Sequence, residues 1–119
     1  MTDRRRTLGT RGESAVARWY RARGYTLVDR NWRVREGEID LILRRGRLLV
    51  FCEVKTRRGD AFGSPFDAVT ARKQQRLRGL ALRWLADHGA GRSPIRFDVA
   101  AVRVGADGRA DIEVRFAAF

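Results

Sequence analysis

The sequence predicts one α/β domain, a mixed central sheet of about five strands flanked by two main helices. Three observations predict it. At 119 residues the chain holds a single core, because domains cluster near ~100–150 residues. Hydrophobic residues make up 44%, enough for that core. Segments of helical period and of strand character then follow one another in the order helix, three strands, helix, two strands.

Residues 1–8 read as a basic N-terminal arm, leaving 9–119 as the folded domain. Glu13, Val16, Ala17 and Tyr20 fall at i, i+3, i+4 and i+7, a helix that runs to Arg23 and stops at Gly24. Tyr25–Val34 and Ile39–Leu43 read as strands, with Arg45-Gly46 as a tight turn into a third, Leu48–Val54. Arg57–Pro65 is polar and contains glycine, hence a loop. A long helix spans roughly Asp67–Asp87, with Val69, Lys73, Leu77, Leu80, Ala81 and Trp84 on one stripe. It is broken by Gly89, Gly91 and Pro94. Phe97–Val104 and Ile112–Phe116 are the last two strands, joined through Asp107-Gly108.

Composition narrows the function. The chain lacks an apolar run long enough for a membrane span, and Met1–Arg6 leads into no apolar stretch, so no secretory signal is expected. A single cysteine, Cys52, excludes an internal disulfide framework and a cysteine-based zinc site; a reducing cytoplasm is the expected compartment, and nucleoid association suits the charge. That charge is +12, from 26 basic and 14 acidic residues, and it points to a polyanionic partner. Only two of the basic residues are lysines, Lys55 and Lys73. Arginine stays protonated, whereas lysine is a compact and adjustable charge.

Both motifs of interest lie on the central hairpin. Alternation puts Glu38 and Asp40 on one face, and Glu53 and Lys55 on one face. A two-residue Arg45-Gly46 turn pairs Arg44 with Arg47, Asp40 with Phe51 and Glu38 with Glu53. All four ionisable side chains then share a face, with Asp40 diagonal to Glu53, while Ile39, Leu41, Leu43, Cys52 and Val54 face the core. Neighbouring carboxylates repel, and a divalent cation between them offsets that cost. Mg²⁺ or Mn²⁺ suits oxygen ligands, and Lys55 would point at the same spot to position a water or steady a charged transition state. A solvated charged hairpin explains these residues equally well in isolation. Glu13 and Lys73 shift the balance, because each places a charge on a core-facing stripe, and both are expected to converge on the hairpin.

Asp40 followed by Glu53-Val54-Lys55 resembles the PD-(D/E)xK signature of restriction-endonuclease-like nucleases. More closely, the chain resembles the YraN-type family of small bacterial proteins, grouped with Holliday-junction-resolvase-like nucleases. Gly12-Glu13, Arg30-Asn31-Trp32, Gly37–Ile42, Val50–Arg57, Lys73 with Arg76-Leu77, and Arg96–Val99 carry the resemblance. It implies a restriction-endonuclease-like fold, with Asp40 and Glu53 as metal ligands and the Val54 carbonyl as a third. Lys55 would be the catalytic lysine and Glu13 the first-helix glutamate of the resolvase-like branch. Ile39 stands where the signature has proline, and Cys52 where an aliphatic residue is usual.

The expected activity is therefore Mg²⁺- or Mn²⁺-dependent endonucleolytic hydrolysis of DNA phosphodiesters, with branched or recombination structures as candidate substrates. The alternative is a non-catalytic nucleic-acid-binding accessory protein of the same fold; a basic protein-interaction module ranks third. Arg57 and Arg58 in the loop after Lys55, with Lys73 and Arg76, are the candidate nucleic-acid contacts, and Glu38 is an additional site candidate. Arg72, Arg76 and Arg83 otherwise read as a solvated helix face. Trp19, Trp32 and Trp84 read as core, His88 as a helix-end residue, and Asp98 as a structural partner of Arg96. Oligomeric state, a homodimer included, is open from sequence.

Overall fold

The computed structural model describes residues 4–59 and 65–119. Its elements are α1 (Arg4–Arg21), β1 (Thr26–Val34), β2 (Gly37–Arg45), β3 (Leu48–Arg58), α2 (Ala71–Asp87), β4 (Ile95–Val104) and β5 (Ala110–Arg115). A 3₁₀ turn at Pro65–Ala68 precedes α2. The five strands form one mixed sheet in the order β1-β2-β3-β4-β5, parallel only between β3 and β4. This is the α/β domain expected, with the helix, three strands, helix, strand succession of the restriction-endonuclease-like core.

One helix covers each face. Val16, Ala17 and Tyr20 of α1 pack on Leu41, Leu43, Val50, Cys52, Ala100 and Val102. Leu77, Leu80, Ala81 and Trp84 of α2 pack on Ile39, Ile42, Leu49, Phe51 and Phe97. The two stripes read from the sequence are thus the two buried helix faces.

Several boundaries differ from expectation. Residues 4–8, expected in a loose arm, form the first turns of α1. β3 continues through Arg57 and Arg58, which were expected in a loop; parallel pairing with Arg103 and Val104 of β4 keeps them extended. α2 starts at Ala71 rather than Asp67, because the Thr70 hydroxyl accepts from the Lys73 N–H and caps it there.

The hairpin register also differs. Arg45 pairs with Leu48, Ile42 with Phe51 and Leu41 with Cys52, so the turn is Gly46-Arg47, not Arg45-Gly46. Gly46 takes φ 60°, the left-handed conformation that a tight hairpin needs and that glycine adopts freely. The change is two residues. An even slip leaves every side chain on its expected face and brings Asp40 level with Glu53 rather than diagonal to it. Ile39 is a second correction. It packs on the α2 side, not with Leu41 and Leu43 on the α1 side.

On the α1 side of the sheet, Asp98 is fully buried. It accepts from Arg96 Nε at 2.8 Å, from the Tyr20 hydroxyl at 2.7 Å and from the Ala117 N–H at 3.1 Å. Burial beside that carboxylate pushes the Tyr20 hydroxyl pKa far above its ordinary value. His88 caps α2, with Nδ1 2.8 Å from the Trp84 carbonyl and its ring stacked on the Trp84 indole. Trp84 is buried core, whereas Trp19 and Trp32 are partly buried against the two clusters.

Candidate functional site

An open cleft of about 350 Å³ lies between the ends of β2 and β3 and the first turns of α2. Gly37, Glu38, Asp40, Glu53, Val54, Lys55, Lys73, Arg76 and Leu77 line it. Seven of the ten residues singled out from sequence therefore meet in one place.

Asp40 is its deepest charge, 9% exposed. Its Oδ2 accepts from the Val54 main-chain N–H at 2.8 Å, a bond that ties β2 to β3 beyond their last ladder pair. Glu53, level with it on β3, lines the same cleft. Burial, then the Glu53 hydrogen bond and the Glu53 charge, push the Asp40 pKa up to about 9. At neutral pH Asp40 thus keeps its proton. Lys55 Nζ stands 3.6 Å from Glu53 Oε2, on the same strand face.

From α2, Lys73 comes up beside Lys55. The Lys55 charge, and to a lesser degree burial, hold the Lys73 pKa below its ordinary value. Arg76 is exposed and lines the rim, so it is not merely part of the solvated helix face. Glu38 is exposed and paired with Arg33 at 2.9 Å.

Glu13 approaches from α1 and does not line the cleft. Burial raises its pKa, opposed by a hydrogen bond with Asn31 and by the Arg30 charge, and its own charge adds to the negative field on Asp40. Arg57 follows Lys55 on the same face of β3, half-buried, its Nε–H without a hydrogen-bond partner. Arg58 is exposed at the strand end; both lie beyond the cleft lining.

Two features escaped sequence reasoning. Gly12 is where α1 touches β3: a Cβ there would sit inside the contact distance of Thr56 Oγ1. Arg30 holds α1 from β1, donating to Ser14 Oγ at 2.9 Å and to the Thr10 carbonyl at 2.8 Å. A glycine within the helical pattern, one residue before Glu13, was the available signal for the first; the second had none.

The donor set fits a hard divalent cation. Two carboxyl groups line one cleft, and the buried one keeps a proton that a cation could replace while satisfying the same oxygens. Among the described residues no third Asp, Glu, His or Cys joins them. The remaining positions would fall to main-chain oxygen, water and substrate, the arrangement Mg²⁺ favours.

The chain matches the model of "Uncharacterised protein family UPF0102" over residues 12–102. That span starts at the Gly12 contact and takes in every cleft residue. Relatives bearing the family name include a protein of Rhodococcus jostii (strain RHA1), 52% identical over 106 residues, covering 89% of this chain and 90% of its own. One of Frankia alni is 56% identical over 95 residues, covering 80% and 79%. One of Symbiobacterium thermophilum is 53% identical over 104 residues, covering 87% and 88%. Matching over this length and at this identity, the chain belongs to the UPF0102 family, the YraN-type family that its Gly37–Ile42 and Val50–Arg57 blocks resemble.

Proposed function

We propose that this protein is a Mg²⁺- or Mn²⁺-dependent nuclease that hydrolyses DNA phosphodiesters. The observation that carries this reading is the Asp40–Glu53 pair. Two acidic side chains line one open cleft, the deeper of them buried, with a lysine 3.6 Å from the other. The pair lies in a cleft open to solvent, and besides the Lys55 ion pair to Glu53 it has Lys73 and Arg76 along the same lining.

A divalent cation bound there would polarise the phosphate and neutralise charge developing on it. The chain's own groups do the rest. Asp40 and Glu53 would hold such a cation, with Asp40 in its ionised form. The Val54 N–H fixes Asp40 Oδ2, so only the remaining oxygens need orienting. Lys55 donates from Nζ to the attacking water or to a phosphate oxygen and stabilises the negative transition state. Lys73 and Arg76 bind phosphates across the cleft, and Arg57 extends the cationic track along β3. Branched DNA is the substrate class the resolvase resemblance favours. The single cysteine, Cys52, is buried and free, which suits a reducing cytoplasm. Among the described residues no helix is long and apolar enough to cross a membrane.

The test is a cleavage panel of linear, single-stranded, flapped and four-way DNA with Mg²⁺, Mn²⁺ or EDTA. Wild type should cut with metal only, and Asp40→Asn should lose at least ~100-fold while still binding DNA. Binding without cleavage in the wild type would favour the non-catalytic accessory protein, and neither binding nor cleavage would refute both readings.

A further inference from the structure

Contacts at its two ends fix how α1 lies on the sheet. Near its start, Arg30 of β1 donates to the Thr10 carbonyl and to Ser14 Oγ, and Gly12 lets the helix backbone close on Thr56 of β3. Its last turn reaches the other way. Tyr20 donates to Asp98 of β4, and the Trp19 ring lies 5.9 Å from that of Phe116, just past β5. The helix thus crosses the sheet at an angle, and a wedge stays open between its first half and the β4–β5 side. The widths agree. Five strands about 4.8 Å apart span roughly 19 Å, whereas a helix with its side chains covers about 10–12 Å. One helix does not cover the face.

The wedge is a groove of about 670 Å³, on the opposite side of the sheet from the 350 Å³ cleft. Its floor is Val102, Val104, Ala110 and Ile112. Val104 and Ile112 are only partly buried, and Ala110 is exposed. Its helix wall is a single stripe of α1, with Leu8, Arg11, Ala15 and Arg18 at i, i+3, i+7 and i+10. Both arginines are exposed, and among the described residues neither makes an ion pair.

An apolar floor beside unpaired cations selects the occupant. Duplex DNA would offer phosphates to the arginines and nothing to the hydrocarbon floor. A second copy of this chain offers no matching helix. Its α1 has one acidic residue, Glu13, already paired with Arg30, and its α2 has only Asp87. An amphipathic helix with carboxylates along one flank satisfies floor and wall together. From Leu8 to Trp19 the wall runs about 16 Å, the length of three helical turns.

We infer that this groove docks a short amphipathic helix of a partner protein, about three turns long, with its apolar stripe on Val104, Ala110 and Ile112 and its acidic flank facing Arg11 and Arg18. The inference is independent of the chemistry in the cleft.

The probe is a helix-stapled synthetic peptide of about 14 residues with a leucine stripe flanked by glutamates, titrated into the full chain and followed by NMR. It should bind saturably, shift Ala15, Val104, Ala110 and Ile112, and weaken with salt. Arg11→Glu/Arg18→Glu and Ala110→Glu alter only exposed positions, so both should melt within a few degrees of wild type, and each should lose about tenfold or more in affinity. A peptide of the same composition with its stripe scrambled, and one with lysines for the glutamates, should bind at least about tenfold more weakly. Equal binding by either control, shifts centred on the cleft, undiminished affinity in the variants, or no saturable binding would overturn the proposal. So would duplex DNA that shifts the groove residues as strongly, or a wild-type dimer that Ala110→Glu converts to monomer in sedimentation equilibrium. Those results would give the groove to nucleic acid or to a second copy.

Discussion

Replacing Asp40 by asparagine should make the metal-free protein more stable at alkaline pH and remove its response to metal. In the unfolded chain the Asp40 carboxyl ionises near 3.8; in the fold, burial first and Glu53 second hold its proton up to about 9. Between those values the native state binds more protons than the unfolded state. Stability is therefore complete below the lower value and drains away as pH rises toward the upper one. Each pH unit in that window is worth up to ~1.4 kcal/mol. From pH 5 to pH 8 the loss is about 4 kcal/mol as an upper bound, because Asp40 interacts with a neighbouring acidic group. At roughly 4 °C per kcal/mol for a domain of this size, Tm falls by up to about 15 °C. Asparagine does not titrate, and it reproduces the protonated form: Nδ2 donates to Glu53 while Oδ1 accepts from the Val54 N–H. The melting curves of wild type and Asp40→Asn in EDTA should nearly coincide at pH 5 and separate by about 10 °C or more at pH 8. Mg²⁺ or Mn²⁺ at about a hundred times its Kd should restore ~3 kcal/mol to wild type at pH 8 and nothing to the variant. Scanning calorimetry at four pH values, with and without metal, measures both. Parallel pH profiles, or equal metal responses, would refute the reasoning.

Other outcomes follow from the same structure. DNA affinity should fall steeply with salt, and Lys73→Ala or Arg76→Ala should each flatten the log–log slope by about one counterion, as filter binding from low to moderate salt would record. Asp98→Ala should cost about 3–5 kcal/mol in urea denaturation, because it strands the Arg96 guanidinium and the Tyr20 hydroxyl without their buried acceptor. Gly12→Ala should cost ~1–3 kcal/mol by forcing a methyl group onto Thr56, and Thr56→Ala should recover much of it in the double variant.

What was legible in the sequence was what depends on period. Val16, Ala17 and Tyr20, and Leu77, Leu80 and Trp84, are buried as their helical spacing requires. Glu53 and Lys55 share a face because strands alternate. The hairpin register was off by two, since Gly46 serves a turn as well in first position as in second, and only pairing energy over the whole ladder decides. The shared face survived because the error was even. Ile39 departs from strict alternation beside Asn31 of the neighbouring strand, whose backbone is left-handed at φ 52°, and the only local mark of that irregularity is an asparagine among strand formers. The grip of Arg30 on α1 was illegible for the same reason: it joins residues whose proximity exists only after the sheet and helix have docked.

The single parallel contact in the sheet orders events in time. β1, β2 and β3 are successive antiparallel neighbours joined by tight turns, whereas β4 reaches β3 only after residues 59–94 have crossed over. Hairpins close in microseconds; a pair separated by so long a connection must first overcome the entropy of closing it. Asp40 and Glu53 come from the early hairpin, and Lys73 arrives with the late crossover. Refolding therefore gathers the negative charges before α2 supplies its share of the positive ones. If the proposed cation binds at Asp40 and Glu53, its presence during refolding should speed the closing step, which stopped-flow refolding with and without Mg²⁺ would record.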